Sequence, residues 1–242
     1  MTTATSKVIL GGFGDPARRP TGWVAIVGAV LAWATVGVFM AATQGDLGIL
    51  LRPAQFLALP AAAHQQLVVA MVLDCLGFYL PFLVVGGYLW SRLRAADAAH
   101  GAAVDIAVLC IVSYALLGMA GASLLAATVQ PLAAAHAAGD AAAKAGAEAA
   151  WLAVAYGVQH GLWLLEGPVM GFWGLAMGRA LRAAGLPWGR LLMAVGVCYA
   201  AIFVAALLEL VALVELLQFA FLLLLPLWSL LIGIHLLRQP RP

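Results

Sequence analysis

From Leu191 to Leu237 the chain runs for 47 residues with charged side chains only at Glu209 and Glu215. A straight helix of that length would measure roughly 70 Å at 1.5 Å per residue. The hydrocarbon of a bilayer is about 30 Å thick. Such a run is too long to cross once, and exposing it to water would be costly. It must fold back on itself as two spans, expected at about 191–212 and 216–237. Length alone places the turn, because neither Gly nor Pro occurs between the two halves; Glu215, the break in the apolar pattern, is the expected position.

The rest of the chain repeats this character. Only 9% of the 242 residues are charged, against about 25% in an ordinary soluble domain, and mean hydropathy is +1.05. Four further stretches reach the length of about 20 apolar residues that a spanning helix needs: about 22–43, 66–90, 102–127 and 150–178. The first exceeds the 7–15 residues of a signal-peptide core and reads as a retained anchor. The expected fold is therefore all-α, a single six-helix transmembrane bundle over residues 22–237, with short tails at 1–21 and 238–242.

Basic residues set the expected orientation. Lys7, Arg18, Arg19, Arg92, Arg94, Arg179, Arg182, Arg190, Arg238 and Arg241 fall on one side of the six spans, and only Arg52 and Lys144 on the other. The positive-inside rule makes the first side, with both termini, cytoplasmic. A multi-pass protein of a bacterial inner membrane follows. Net charge is +2, and the basic residues sit beside apolar segments, so no nucleic-acid partner is expected. Cys75, Cys110 and Cys198 lie apart in apolar runs and read as buried thiols. No metal-ligand spacing and no nucleotide-binding loop is present.

Two connections on the far side have their own character. Residues 44–65 hold an apolar stretch too short to span, expected as a shallow interfacial or re-entrant segment. Residues 131–149 are alanine-rich, which favours helix and extends the third and fourth spans beyond the bilayer. His64, His100 and His136 lie in these connections or at span edges and read as solvated.

Within the spans, the polar residues are the informative ones. The fourth contains "YGVQHGLWLLEGPVMGFWG", with Gln159, His160 and Glu166 inside an apolar run and Trp163 between them. Asp74 falls in the second span, Ser113 and Tyr114 in the third, Glu209 in the fifth and Gln218 in the sixth. A carboxylate facing hydrocarbon costs about 2.5–3.5 kcal/mol even on insertion scales. These groups should therefore turn inward, pair with His160 or a tyrosine, or carry a proton. The candidate ligand-binding set is Asp74, Gln159, His160, Trp163, Glu166, Tyr114 and Glu209. Asp74, His160, Glu166 and Glu209 are the candidates for acid–base or metal chemistry; no cofactor is indicated.

Three readings stay open: a pocket that binds or moves a small or lipidic ligand, with or without protons; an embedded enzyme acting on a lipid or isoprenoid; and a non-catalytic subunit of a membrane complex. Pro81, Pro168 and Pro226 lie near the middle of the second, fourth and sixth spans. They would release the carbonyls of Gly77, Leu164 and Leu222 and kink a ring of helices around a cavity. Gly157/Gly161, Gly167/Gly171 and Gly174/Gly178 repeat the GxxxG spacing of closely packed membrane helices. The fourth span is thus the expected centre of the bundle, although the same glycines would serve a homodimer.

The stretch "FWGLAMGRALRAAGLPWGRLLMAVGVCY" resembles part of a bacterial six-helix membrane family of unassigned function. Leu186, Pro187 and Trp188 stand for its basic-loop Leu-Pro-aromatic step, and Gly196 and Tyr199 for its next helix. "LVVAMVLDCLGFYLPFLVVGGYLW" is similar to that family's second span, with Asp74 as its acidic residue and Glu209 or Glu215 as its late one. The alanine-rich connection departs from that pattern. The resemblance implies six helices and carries no activity.

Overall fold

The computed structural model describes residues 15–96 and 101–238. Lys7, His100 and Arg241 lie outside them. Helix α1 spans Arg18–Ala42, α2 Pro53–Leu57, α3 Ala61–Asp74 and α4 Leu80–Ala96. They are followed by α5 Gly101–Ala138, α6 Ala141–Gly157, α7 Glu166–Ala183, α8 Gly189–Leu207 and α9 Val211–Arg238. A single π-helical turn, Cys75–Tyr79, joins α3 to α4 without a break. Among the described residues, five helical stretches are long and apolar enough to cross a membrane: Arg18–Ala42, Ala61–Arg94, Ala102–Ala138, Gly189–Leu207 and Val211–Arg238. The chain is an all-α, multi-pass membrane protein.

The fourth expected span is interrupted. α6 runs into a π turn at Val158–Leu162, three residues of turn follow, and α7 begins at Glu166. The hydrogen bonds show how the helix loosens and restarts: Trp163 N donates to Val158 O, five residues back, and Gly167 N to Leu164 O, three back. Pro168 is then the third residue of α7, where a missing N–H leaves no helical bond unmade. Leu164 O, the carbonyl expected to be orphaned by the proline, is the one Gly167 satisfies.

α1, α3–α4, α5, α7, α8 and α9 close into a ring, each packed on the next and α9 returning to α1. Small residues set the closest approaches. On α7 and α8, a Cβ added to Gly174 would lie 2.7 Å from Gly196 Cα, and one on Gly178 2.7 Å from Gly189 O. On α1 and α9, a Cβ on Gly233 would lie 2.7 Å from Gly22 O, and Ser229 Oγ donates to Ala25 O at 2.9 Å. The glycine pattern thus zips α7 to α8, while Gly157 and Gly161 have no such neighbour.

One end of the ring carries the basic residues and the first described residues. There Tyr88 Oη donates to Asp15 Oδ2 at 2.9 Å, Arg92 pairs with Asp15, and Trp90 Nε1 donates to Asp105 Oδ1 at 2.8 Å. At the other end the short segment 44–65 folds inward as a cap. Its 3-10 turn Leu47–Leu51 and α2 pack on α6: Trp151 Nε1 donates to Leu50 O at 2.8 Å, and Phe56 stacks on Trp151 at 4.8 Å. His64 is buried with Nε2 3.0 Å from Phe56 O, so it is a structural histidine and not a solvated one. His136 also has a partner, Glu148 at 2.9 Å across the α5–α6 hairpin. That hairpin is the helical extension expected of the alanine-rich stretch, turned by Asp140, whose side chain accepts from Ala143 N.

The turn between the last two helices lies at Leu208–Leu210, six residues before Glu215, which belongs to α9. Glu209 takes a left-handed conformation (φ 57°); its N–H bonds Ala206 O and that of Leu210 bonds Ala205 O. This bonding pattern ends helices efficiently, with glycine the usual occupant of the left-handed position. A glutamate there leaves no sequence mark.

Candidate functional site

The buried hydrophobic residues form two clusters stacked along the bundle. The one at the basic end includes Phe78, Tyr79, Phe82, Tyr114, Met170, Trp173, Tyr199 and Trp228. The one at the capped end includes Leu50, Phe56, Leu67, Met71, Ala122, Leu125, Trp151 and Val158. The division falls between Met71 and Phe78 on the second segment and between Val158 and Met170 on the fourth. Asp74 and Glu166 occupy those two gaps, 9% and 5% exposed. A polar layer therefore separates two apolar cores.

Both carboxylates sit where a helix is deformed. Asp74 is the last residue of α3, immediately before the π turn, and Tyr79 is the last residue of that turn. A π turn links residues five apart, as Leu80 N to Cys75 O shows here. The wider turn places Tyr79 five residues beyond Asp74, with both side chains buried. Pro81 follows, without the N–H that a regular helix would direct at Gly77 O. α1 presses on this point: a Cβ on Gly77 would run into the backbone at Ala32, and Gly28 lies against Pro81.

Glu166 is the first residue of α7, where the helix dipole favours a negative side chain. Its Oε1 accepts from Tyr79 Oη at 3.0 Å. Tyr79 itself is seated on Gly118 of α5, where any larger residue would occupy the ring's space. Trp163 uses the neighbouring gap at Gly121, with Nε1 3.5 Å from Gly118 O. Next to this trio the Tyr79 and Tyr114 rings are 5.0 Å apart, and Tyr114 Oη lies 3.3 Å from Tyr199 Oη of α8.

Donor counting defines what the trio can do. An ionised carboxylate only accepts hydrogen bonds, and a tyrosine hydroxyl has a single proton to donate. Tyr79 donates that proton to its bond with Glu166, which leaves none for Asp74 in the same layer. Asp74, Tyr79 and Glu166 thus lie buried in one polar layer, with Tyr79 bonded to Glu166.

The expected site residues divide accordingly. Glu166 and Tyr114 both contact Tyr79, Asp74 is buried in the same layer, and Trp163 stands at its edge. His160 is exposed and stacks on Tyr156 at 4.3 Å, and Gln159 and Ser113 are only partly buried. Glu209 lies at the exposed turn at the capped end, and Gln218 is partly buried on α9 beyond it. Tyr79 and Tyr199 complete the site although neither was singled out by spacing; the signal for Tyr79 was its position five residues after Asp74, readable only if the turn is π. Among the described residues, no three His, Cys, Asp or Glu side chains gather as a metal centre requires.

Fold and layer together define a multi-pass helical membrane protein with ionisable groups in its interior. No family model, no curated protein and no solved structure matches the chain. The likeness to the six-helix bacterial family is therefore not matched by a family assignment, and what stands is the helical membrane architecture itself.

Proposed function

We propose that the chain crosses a bacterial inner membrane six times, termini in the cytoplasm, and is a proton-linked binding or transport protein for a small or lipidic ligand. On this reading α6 and α7 together make the fourth of six crossings, and the Asp74–Tyr79–Glu166 trio takes up and releases a proton as the ligand is bound or moved. The observation that carries it is the Tyr79–Glu166 hydrogen bond with Asp74 in the same layer, all three buried between two apolar cores and at two helix discontinuities. Intramembrane carboxyls are costly and mark proton and substrate pathways. Irregular backbone at membrane depth belongs to binding sites in transporters, and π turns concentrate at functional sites. His160 and Glu209 lie away from the trio, which weakens the acid–base enzyme alternative built on them.

The test is infrared difference spectroscopy of the protein in nanodiscs, paired with proton flux into proteoliposomes under an imposed potential. A carboxyl band that changes with pH, and disappears in Glu166→Gln or Asp74→Asn, is the expected result, with flux reduced in the same variants. A carboxyl signal and flux identical in wild type and both variants would overturn the reading.

A further inference from the structure

A second polar feature lies at the basic end, remote from the trio. The α7–α8 connection and α9 enclose a groove of about 560 Å³ whose rim carries Arg182, Trp188 and Arg190 and whose floor includes Leu191, Leu227 and Leu231. Both arginines are exposed, and neither has a carboxylate partner among the described residues. Their placement follows from the backbone. α7 ends with Gly185 left-handed (φ 70°), Gly185 N bonding Arg182 O and Leu186 N bonding Leu181 O. This turn, followed by Pro187 and a left-handed Trp188 (φ 69°), sets Arg182 and Arg190 on the same rim.

The floor gives the direction of the occupant. Leu227 lies 11 residues before Arg238, the last residue of α9, so the apolar surface reaches roughly 16 Å from the basic end towards the bundle centre. Two guanidiniums on one groove suit a phosphate by charge and donor type, an indole suits the level of lipid headgroups, and an apolar strip running inward suits an acyl chain. A free anion would use the rim and leave the leucines uncovered. We propose that this groove binds the phosphate headgroup and one acyl chain of an anionic glycerophospholipid. The inference rests on the membrane class of the protein and is independent of the proton-linked reading.

The experiment uses the full chain in nanodiscs of phosphatidylcholine alone or with phosphatidylglycerol, with native mass spectrometry to count retained lipid. Quenching of tryptophan fluorescence by brominated phosphatidylglycerol is the second readout. Preferential retention of phosphatidylglycerol is expected, with the Arg182→Gln/Arg190→Gln double variant weakened about thirtyfold. Arg179→Gln, an exposed arginine outside the groove, should change retention little, and Trp188→Phe should remove part of the quenching. Equal retention of both lipids, or a double variant that binds like wild type while melting at the same temperature, would overturn the proposal. Competition by inorganic phosphate as effective as that by lipid would overturn it in favour of a small-anion site.

Discussion

Tyr79 and Glu166, 87 positions apart in sequence, are joined by a 3.0 Å hydrogen bond in the layer that divides the two apolar cores. Removing the hydroxyl leaves a buried carboxyl without its donor. Tyr79→Phe keeps the ring on Gly118 and should cost about 1–3 kcal/mol, read as a lower midpoint in detergent unfolding. Tyr199→Phe removes only one side of a 3.3 Å contact between two hydroxyls and should cost less, about 0.5–1.5 kcal/mol.

The α7–α8 seam depends on having no side chain at its crossings. Gly174→Val puts atoms where Gly196 Cα already lies, and overpacking of this kind costs about 1–3 kcal/mol. Gly157→Ala meets nothing within 4 Å and removes the helix penalty of glycine, so it should be neutral or stabilising by up to about 1 kcal/mol. Comparing the two melting temperatures checks both statements.

The position of the last turn can be tested by glycine alone. Glu209→Gly relieves a left-handed conformation that costs an L-residue about 1–2 kcal/mol and should raise the unfolding midpoint. Glu215→Gly, in the body of α9, should lower it by about 1 kcal/mol. A turn at Glu215 would reverse the two signs.

The cap at the far end hangs on Trp151. Trp151→Phe retains a ring for Phe56 to stack on but loses the bond to Leu50 O, a loss of about 1 kcal/mol. Faster amide exchange over residues 47–57, with exchange in α8 and α9 unchanged, is the expected outcome.

The membrane class was legible from composition and the long apolar runs, because a bilayer imposes length and polarity limits that no packing detail can override. The inward turn of Asp74 and Glu166 was legible for the same reason. What was hidden depended on backbone geometry. The break at Trp163–Leu165 has no glycine in it, and the π turn after Asp74 is set by Pro81 and the pressure of α1 on Gly77, a contact between distant segments. The glutamate in the left-handed position at 209 likewise left the last turn unmarked. His64 looked solvated because nothing in a short connection signals that it will fold back under α6.

The interruption before Glu166 also divides the molecule mechanically. On one side α6 is bound to the cap through Trp151; on the other α7 is locked to α8 through bare backbone. Three residues of turn link them along the chain, while α5 packs against both. Glu166 stands at that joint, so a change in the length or stiffness of residues 163–165 should be felt first in its bond to Tyr79.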